Sequence, residues 1–235
     1  MKIRDRLDLD RVVFIGRTFG EYLGMFDLDS SVLRCGSILD CGAGPSSFTA
    51  EAHRAGILAT ACDPCYELSA EVLGDKGRDD IDHVFDRFES VEHLYTWNYY
   101  RNREALIACR RRALESFLAD FLQGIEAGRY IGAALPRLPF PDRTFSLVLC
   151  SHFLFLYHDR LDLDFHKASL LELMRVGRAE VRVFPLQGLD AQPYPHLDEI
   201  IMFLAGQGVV AEIVGVPFEF QKGSNKMLRL RRMKG

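Results

Sequence analysis

The 235-residue sequence contains no apolar run near the roughly 18 residues that a membrane-spanning helix requires. Its opening, Met1-Lys2-Ile3-Arg4-Asp5-Arg6, is followed by no signal-peptide core. Both absences lead us to expect a cytoplasmic protein without membrane contact. Charge of one sign is equally scarce. Lysine and arginine number 29 against 33 aspartates and glutamates, a net charge of -4, so the surface offers no general field for nucleic acid or anionic lipid. No internal repeat or low-complexity tract interrupts the chain. The six cysteines form one C-x-x-C, Cys62-Asp63-Pro64-Cys65, and no second pair supplies the other two ligands of a tetrahedral zinc site. Cysteines embedded in apolar segments are expected to be reduced core residues, and no metal is expected.

What is present begins with Ser37-Ile38-Leu39-Asp40-Cys41-Gly42-Ala43-Gly44-Pro45-Ser46-Ser47-Phe48. An apolar strand runs into a glycine turn and then a helix. Gly42 and Gly44 let the backbone turn sharply and lie against a ligand, and Ser46 and Ser47 are placed to cap the helix. Asp40 stands two residues before the first glycine, and Asp63 ends the next apolar run.

Spacing along the chain predicts one domain over 1–235, with an amphipathic helix over 10–27 carrying Val12, Ile15, Phe19, Leu23 and Phe26. Strands are expected at 37–40, 58–62, 129–133, 145–151, 179–184, 209–214 and 226–232. Helices are expected at 47–55, 153–157, 165–176 and 196–206. No strand is visible between 66 and 127, and a helical insertion is expected at about 75–127. It is aromatic, with Phe85, Phe88, Tyr95, Trp97, Tyr99 and Tyr100. The last two strands have no helix between them. The fold class expected is α/β: a Rossmann-like, mostly parallel seven-stranded sheet, an antiparallel strand near its end, and the helical insertion.

These segments resemble the class I S-adenosylmethionine-dependent methyltransferases. Leu39-Asp40-Cys41-Gly42-Ala43-Gly44 is similar to the family's first motif and Ala61-Cys62-Asp63-Pro64 to its second. Leu138-Pro139-Phe140-Pro141-Asp142 followed by Phe145 to His152 is similar to the segment around its fourth strand. The resemblance implies S-adenosylmethionine across the carboxyl ends of the strands. It implies contacts from Asp40, Cys41, Gly42, Ala43, Gly44, Asp63, Pro64, Ala134, Leu135 and Ser151, with Arg17 and Tyr22 of the opening segment closing over the cofactor. Asp63 is expected on the ribose hydroxyls and Asp40 beside the cofactor's cationic end. Many relatives carry an acid where Ala134 stands, so adenine would be read by backbone near Ala134 and Leu135.

A nicotinamide-binding domain is the competing nucleotide fold. A carboxylate at Asp40 would repel a diphosphate, and Ser47 occupies the place of the third glycine of G-x-G-x-x-G, so that alternative is disfavoured. No Asn-Pro-Pro-Tyr segment follows the fourth strand, which argues against methylation of DNA base amines. Ser151-His152-Phe153 there is similar to small-molecule methyltransferases.

His152 is the candidate base, weighed against a locally bonded histidine at a helix start. Tyr95, Trp97, Tyr100 and Tyr157 are candidates for the acceptor pocket, weighed against plain packing or an oligomer contact of the insertion. His158, Asp162 and His166 have metal-ligand spacing on a helix but are expected to be surface polar residues. Arg101, Arg103, Arg110, Arg111 and Arg112 could bind an acidic substrate, but a solvated helix face near Glu104 and Glu115 is the expected reading. Arg229, Arg231, Arg232 and Lys234 are expected to face water. A small-molecule methyl acceptor is the expected partner. A cofactor-binding regulator or complex subunit without transferase activity is the alternative of a different class.

Overall fold

The computed structural model describes residues 3–233. Met1, Lys2 and Lys234, which figured in the expectations above, lie outside that range. In chain order the elements are α1 (Phe19–Met25), α2 (Ser30–Leu33), β1 (Ile38–Cys41), α3 (Phe48–Arg54), β2 (Ala59–Cys62), α4 (Ala70–Phe88), α5 (Arg103–Glu126) and β3 (Tyr130–Ile131). They continue with β4 (Phe145–Ser151), α6 (Leu163–Val176), β5 (Gly177–Phe184), α7 (Leu197–Gly206), β6 (Val209–Gly215) and β7 (Lys226–Arg232).

The seven strands form one sheet in the order β3-β2-β1-β4-β5-β7-β6. Pairs from β3 to β5 are parallel, and β7 runs antiparallel to both β5 and β6. β1 and β4 are buried along their whole length, which is why their sequences are continuous apolar runs rather than alternating ones. Residues of alternating parity along the strands serve different cores. Ile38, Leu147 and Leu149 face the side covered by α1, α3, α4 and α5, whereas Leu39, Val148 and Cys150 face α6 and α7. Cys41 sits in register with Cys62 on one neighbouring strand and Cys150 on the other. These three thiols are buried and free, as expected for cysteines within apolar strands, while Cys35 is exposed.

The chain reverses its direction of travel across the sheet between β1 and β4. Loops after these strands diverge there and leave a crevice at the carboxyl ends. The insertion between β2 and β3 consists of α4, a 3-10 stretch (Glu89–Leu94) and α5. Gly77 lets α4 lie close on α5, since a Cβ at this position would stand 2.6 Å from Leu114.

Two helices differ from expectation. Helix 10–27 is reduced to Phe19–Met25, with Thr18 and Glu21 forming a capping box. Residues 10–18 instead form a strap, because their backbone donors are taken by distant side chains. Phe14 N donates to Asp80 at 2.7 Å and Val13 N to the Tyr157 hydroxyl at 3.2 Å. Gly16 passes so close to Pro45 that a Cβ would clash with its carbonyl oxygen. Residues 153–157 close as turns rather than a helix, through bonds such as Tyr157 N to Phe153 O at 3.2 Å.

Candidate active site

The glycine turn after β1 adopts backbone angles that side chains resist: φ is +67° at Gly42 and +53° at Gly44. Ser46 Oγ accepts from Phe48 N at 3.0 Å and so caps α3, while Ser47 turns its hydroxyl to Glu51. The Gly44 N–H donates to Asp63 Oδ2 at 3.0 Å, and Cys65 N–H donates to Oδ1 at 2.9 Å. The turn and the end of β2 are thereby locked together. Each oxygen of Asp63 keeps a second acceptor position.

A cavity opens over these groups at the carboxyl ends of β1, β2 and β4. Cys41, Gly42, Ala43, Gly44, Asp63, Pro64, Ala134, Leu135 and Ser151 line it, as do Arg17 and Tyr22. The strap forms its outer wall with Val12, Val13, Phe14 and Ile15.

Asp40, expected beside the ligand, is fully buried and does not line this cavity. The Tyr22 hydroxyl donates to its Oδ1 at 3.0 Å, and Oδ2 has no partner among the described residues. Burial raises its pKa to about 7, against the lowering effect of the Tyr22 hydrogen bond.

A second, apolar chamber lies behind the first. Val13, Ile15, Arg17 and His152 belong to the walls of both. Its other walls come from Leu7 and Leu9, which precede the strap, Val84, Phe85 and Phe88 of α4, and Leu106 and Arg110 of α5. Tyr95, Leu156, Tyr157, Leu189, Phe218 and Phe220 add apolar and aromatic surface, and Pro185, Gln221 and Ser224 complete them.

Of the four residues proposed for an acceptor pocket, Tyr95 and Tyr157 line the chamber. Trp97 and Tyr100 do not. They pack around Phe220, with ring centroids at 5.7 and 4.8 Å. Phe218 and Phe220 escaped the sequence reading. Their signal is the alternation in Val216-Pro217-Phe218-Glu219-Phe220, two aromatics on one side of an extended segment.

Arg110 was expected on a solvated face and is instead buried. Its Nη1 donates to Glu21 at 2.7 and 3.0 Å, and its Nη2 to the Tyr100 hydroxyl at 2.6 Å. Glu21 also accepts from Thr18 N and Oγ, each at 2.8 Å. Burial opposes the charge on Glu21, yet Arg110 and then Arg17 hold its pKa below the ordinary glutamate value.

Arg17 is less well provided for. Its Nε has no hydrogen-bond partner among the described residues, and Nη1 reaches only the carbonyl oxygens of Ile15 and Gly16 at 3.3 and 3.4 Å. Burial and the neighbouring Arg110 lower its pKa to about 10.

His152 has φ of +50°, with Nδ1 2.9 Å from Ser151 Oγ and its backbone N–H on the Phe184 carbonyl at 2.6 Å. Burial, then Arg17 and Arg110, push its pKa well below 6.5. The imidazole is neutral at pH 7, and its readiness to accept a proton is low.

His166 is a core residue, not a surface one: Nδ1 lies 2.6 Å from Asp162 O and Nε2 3.0 Å from Leu154 O. Asp162 caps α6 through Phe165 N, so no helix joins it to His158. Among the described residues no group of three or more His, Cys, Asp or Glu converges on a metal position.

No family model matches the chain. It is 33% identical over 227 residues to the uncharacterized protein MJ0045 of Methanocaldococcus jannaschii, covering 96% of this chain and 99% of that one. Among solved structures, the PH0226 protein of Pyrococcus horikoshii is 11% identical with a TM-score of 0.49, covering 92% of this chain and 90% of that one. A putative S-adenosyl-L-methionine-dependent methyltransferase of Methanococcus maripaludis is 9% identical at 0.48, covering 92% and 87%. The 1,6-didemethyltoxoflavin-N1-methyltransferase of Burkholderia thailandensis is 14% identical at 0.47, covering 91% and 78%. None of the three reaches a TM-score of 0.5, so none bears on the site.

Proposed function

The chain belongs to the family of the uncharacterized protein MJ0045, and we propose that it is a methyltransferase that takes its methyl group from S-adenosylmethionine and passes it to a small molecule. The observation that carries this reading is the pair of adjoining cavities. A glycine-turn crevice at the carboxyl ends of the strands shares Val13, Ile15, Arg17 and His152 as wall with a separate apolar chamber.

The residues present fit the cofactor. Asp63 keeps one free acceptor position on each oxygen for two ribose hydroxyls, and Ala134 and Leu135 offer backbone and apolar surface to the adenine. A side chain at Gly42 is disfavoured by its φ of +67° rather than by crowding, since a Cβ there would meet the Phe153 ring at an ordinary 3.4 Å. Asp40, one oxygen unpartnered, stands behind the cavity wall, where its charge acts on a cationic ligand end through Tyr22. The bound group supplies an activated methyl carbon, already a good electrophile.

The protein then has to position the acceptor and exclude water rather than activate the methyl. The strap does this by walling both cavities. His152, neutral and bonded to Ser151, orients groups at the junction and can hold a proton there only briefly.

Thermal shift with S-adenosylmethionine, S-adenosylhomocysteine and NAD in parallel tests the reading. At ~100 times its dissociation constant a specific ligand contributes about 2.7 kcal/mol. Stabilisation by the first two is expected, and a response to NAD alone overturns the proposal. S-adenosylhomocysteine formation against a metabolite panel then separates a transferase from a protein that only binds the cofactor.

A further inference from the structure

The polar groups of the inner chamber are unbalanced. Its walls carry two guanidiniums, Arg17 and Arg110, and no carboxylate. Arg110 is neutralised from behind by Glu21, which is itself outside the chamber. Arg17 stays 4.0 Å from Glu21, with an unpartnered Nε and two long bonds to backbone carbonyls. A half-satisfied cation in an apolar enclosure is costly and calls for an anion.

Gln221 and Ser224 are already engaged: Gln221 bonds Gln187 and the Gly188 carbonyl, and Ser224 donates to Gln221 O. The Tyr157 hydroxyl accepts from Val13 N and keeps its own proton to donate. Arg17, Tyr157 and Tyr95, whose hydroxyl makes no hydrogen bond among the described residues, are left to donate to a guest beside the His152 ring, and of these only Arg17 is charged. The remaining walls are apolar and aromatic, with Phe88, Tyr95 and Phe220 clustered at centroid distances of 4.7 to 6.1 Å.

We infer that the methyl acceptor is a small organic acid with an apolar, preferably aromatic, body, bound as its anion with the ionised group at Arg17 and Tyr157. The inference rests on the reading of the site as a methyltransferase. Arg17 also walls the cofactor cavity, so the ionised group sits at the junction where the methyl must cross. The acceptor's ionised atom gives the electron pair of the new bond to the methyl carbon, and the pair of the broken carbon–sulfur bond leaves with sulfur. One negative and one positive charge disappear together, and no proton is left over. A strong base is then unnecessary, in keeping with the weak basicity of His152. The same positive field turns away ammonium acceptors.

Titration calorimetry with 2-naphthoate, 2-naphthamide and 2-naphthylmethylamine, on protein saturated with S-adenosylhomocysteine, tests this. Naphthoate is expected to bind at least about tenfold tighter than the amide, as for a hydrogen bond to a charged group, with the ammonium weakest. Arg17→Met should erase that preference while leaving naphthamide binding in place. Tyr157→Phe keeps the ring but removes both the donated proton and the acceptor of Val13 N–H, and should reduce it in part. Equal binding of the three probes, or tighter binding of the amine, overturns the inference. So does a preference for naphthoate that survives in Arg17→Met while affinity for S-adenosylhomocysteine falls, because Arg17 would then serve the cofactor's carboxylate. Failure of S-adenosylhomocysteine to bind the native protein is a separate result that refutes the methyltransferase reading. In that event the three probes titrated alone still decide whether the chamber selects anions.

Discussion

Replacing Asp40 by Asn removes a charge that the fold holds at a disadvantage. The carboxyl is fully buried, with Tyr22 on one oxygen and nothing on the other. Burial raises its pKa from 3.8 to about 7, so the folded chain binds this proton more tightly than the unfolded chain. A carboxyl shifted upward contributes stability that is full below pH 3.8 and is lost as the pH rises through 7. At about 1.36 kcal/mol per unit, integrating between the two pKa values gives a loss of about 2 to 3 kcal/mol from pH 5 to pH 8. For a chain of this size that is a fall in Tm of roughly 5 to 10 °C. Asp40→Asn keeps an acceptor for Tyr22 and abolishes the titration, so its stability relative to native protein should improve by that amount across the same window. Melts of both proteins at pH 5, 6, 7 and 8 measure the difference. A difference that stays constant with pH refutes the reasoning, since Asp40 would then be ionised and adequately solvated throughout. A cationic cofactor should also favour the ionised form. Binding near pH 7 should therefore release a proton, visible as a buffer-dependent heat that Asp40→Asn lacks.

Asp63→Ala should weaken S-adenosylhomocysteine binding by at least about tenfold, because two contacts to a charged acceptor are lost along with the backbone bonds that hold Gly44 and Cys65. His152→Ala should weaken binding far less, and equal losses by calorimetry would undo the assignment of Asp63. Glu21→Ala leaves Arg110 buried without its partner and should cost about 3 to 5 kcal/mol. Glu21 has a depressed pKa, so its contribution is present above the unfolded value of 4.5 and is lost as pH falls through the folded one. Urea melts at pH 7 and pH 3 should show the variant's deficit shrinking at the lower pH.

Local patterns made much of the glycine-turn half of the site legible. The run from Ser37 to Phe48 carries its own instructions: apolar residues for a buried strand, glycines where φ must be positive, and a serine at the helix start. β4 and β7 were placed at their observed bounds because a continuous apolar run and an alternating one are both unambiguous over seven residues. The strap was misjudged as a helix because Val12, Ile15 and Phe19 have helical spacing. Only the distant Asp80 and Tyr157 reveal that its N–H groups are spent elsewhere.

The amino-acid sequence by itself determined the strand, turn and acid that line the first cavity, since those depend on near neighbours and on backbone angles that few residues accept. The tertiary structure decided the rest. It withdrew Asp40 from the cavity wall, turned Arg110 inward against Glu21, and brought the strap, α4, α5 and Phe220 around one chamber. These residues are separated by as many as 207 positions along the chain, from Val13 to Phe220, and the burial and pairing that give them their chemistry exist only once the layers close on one another.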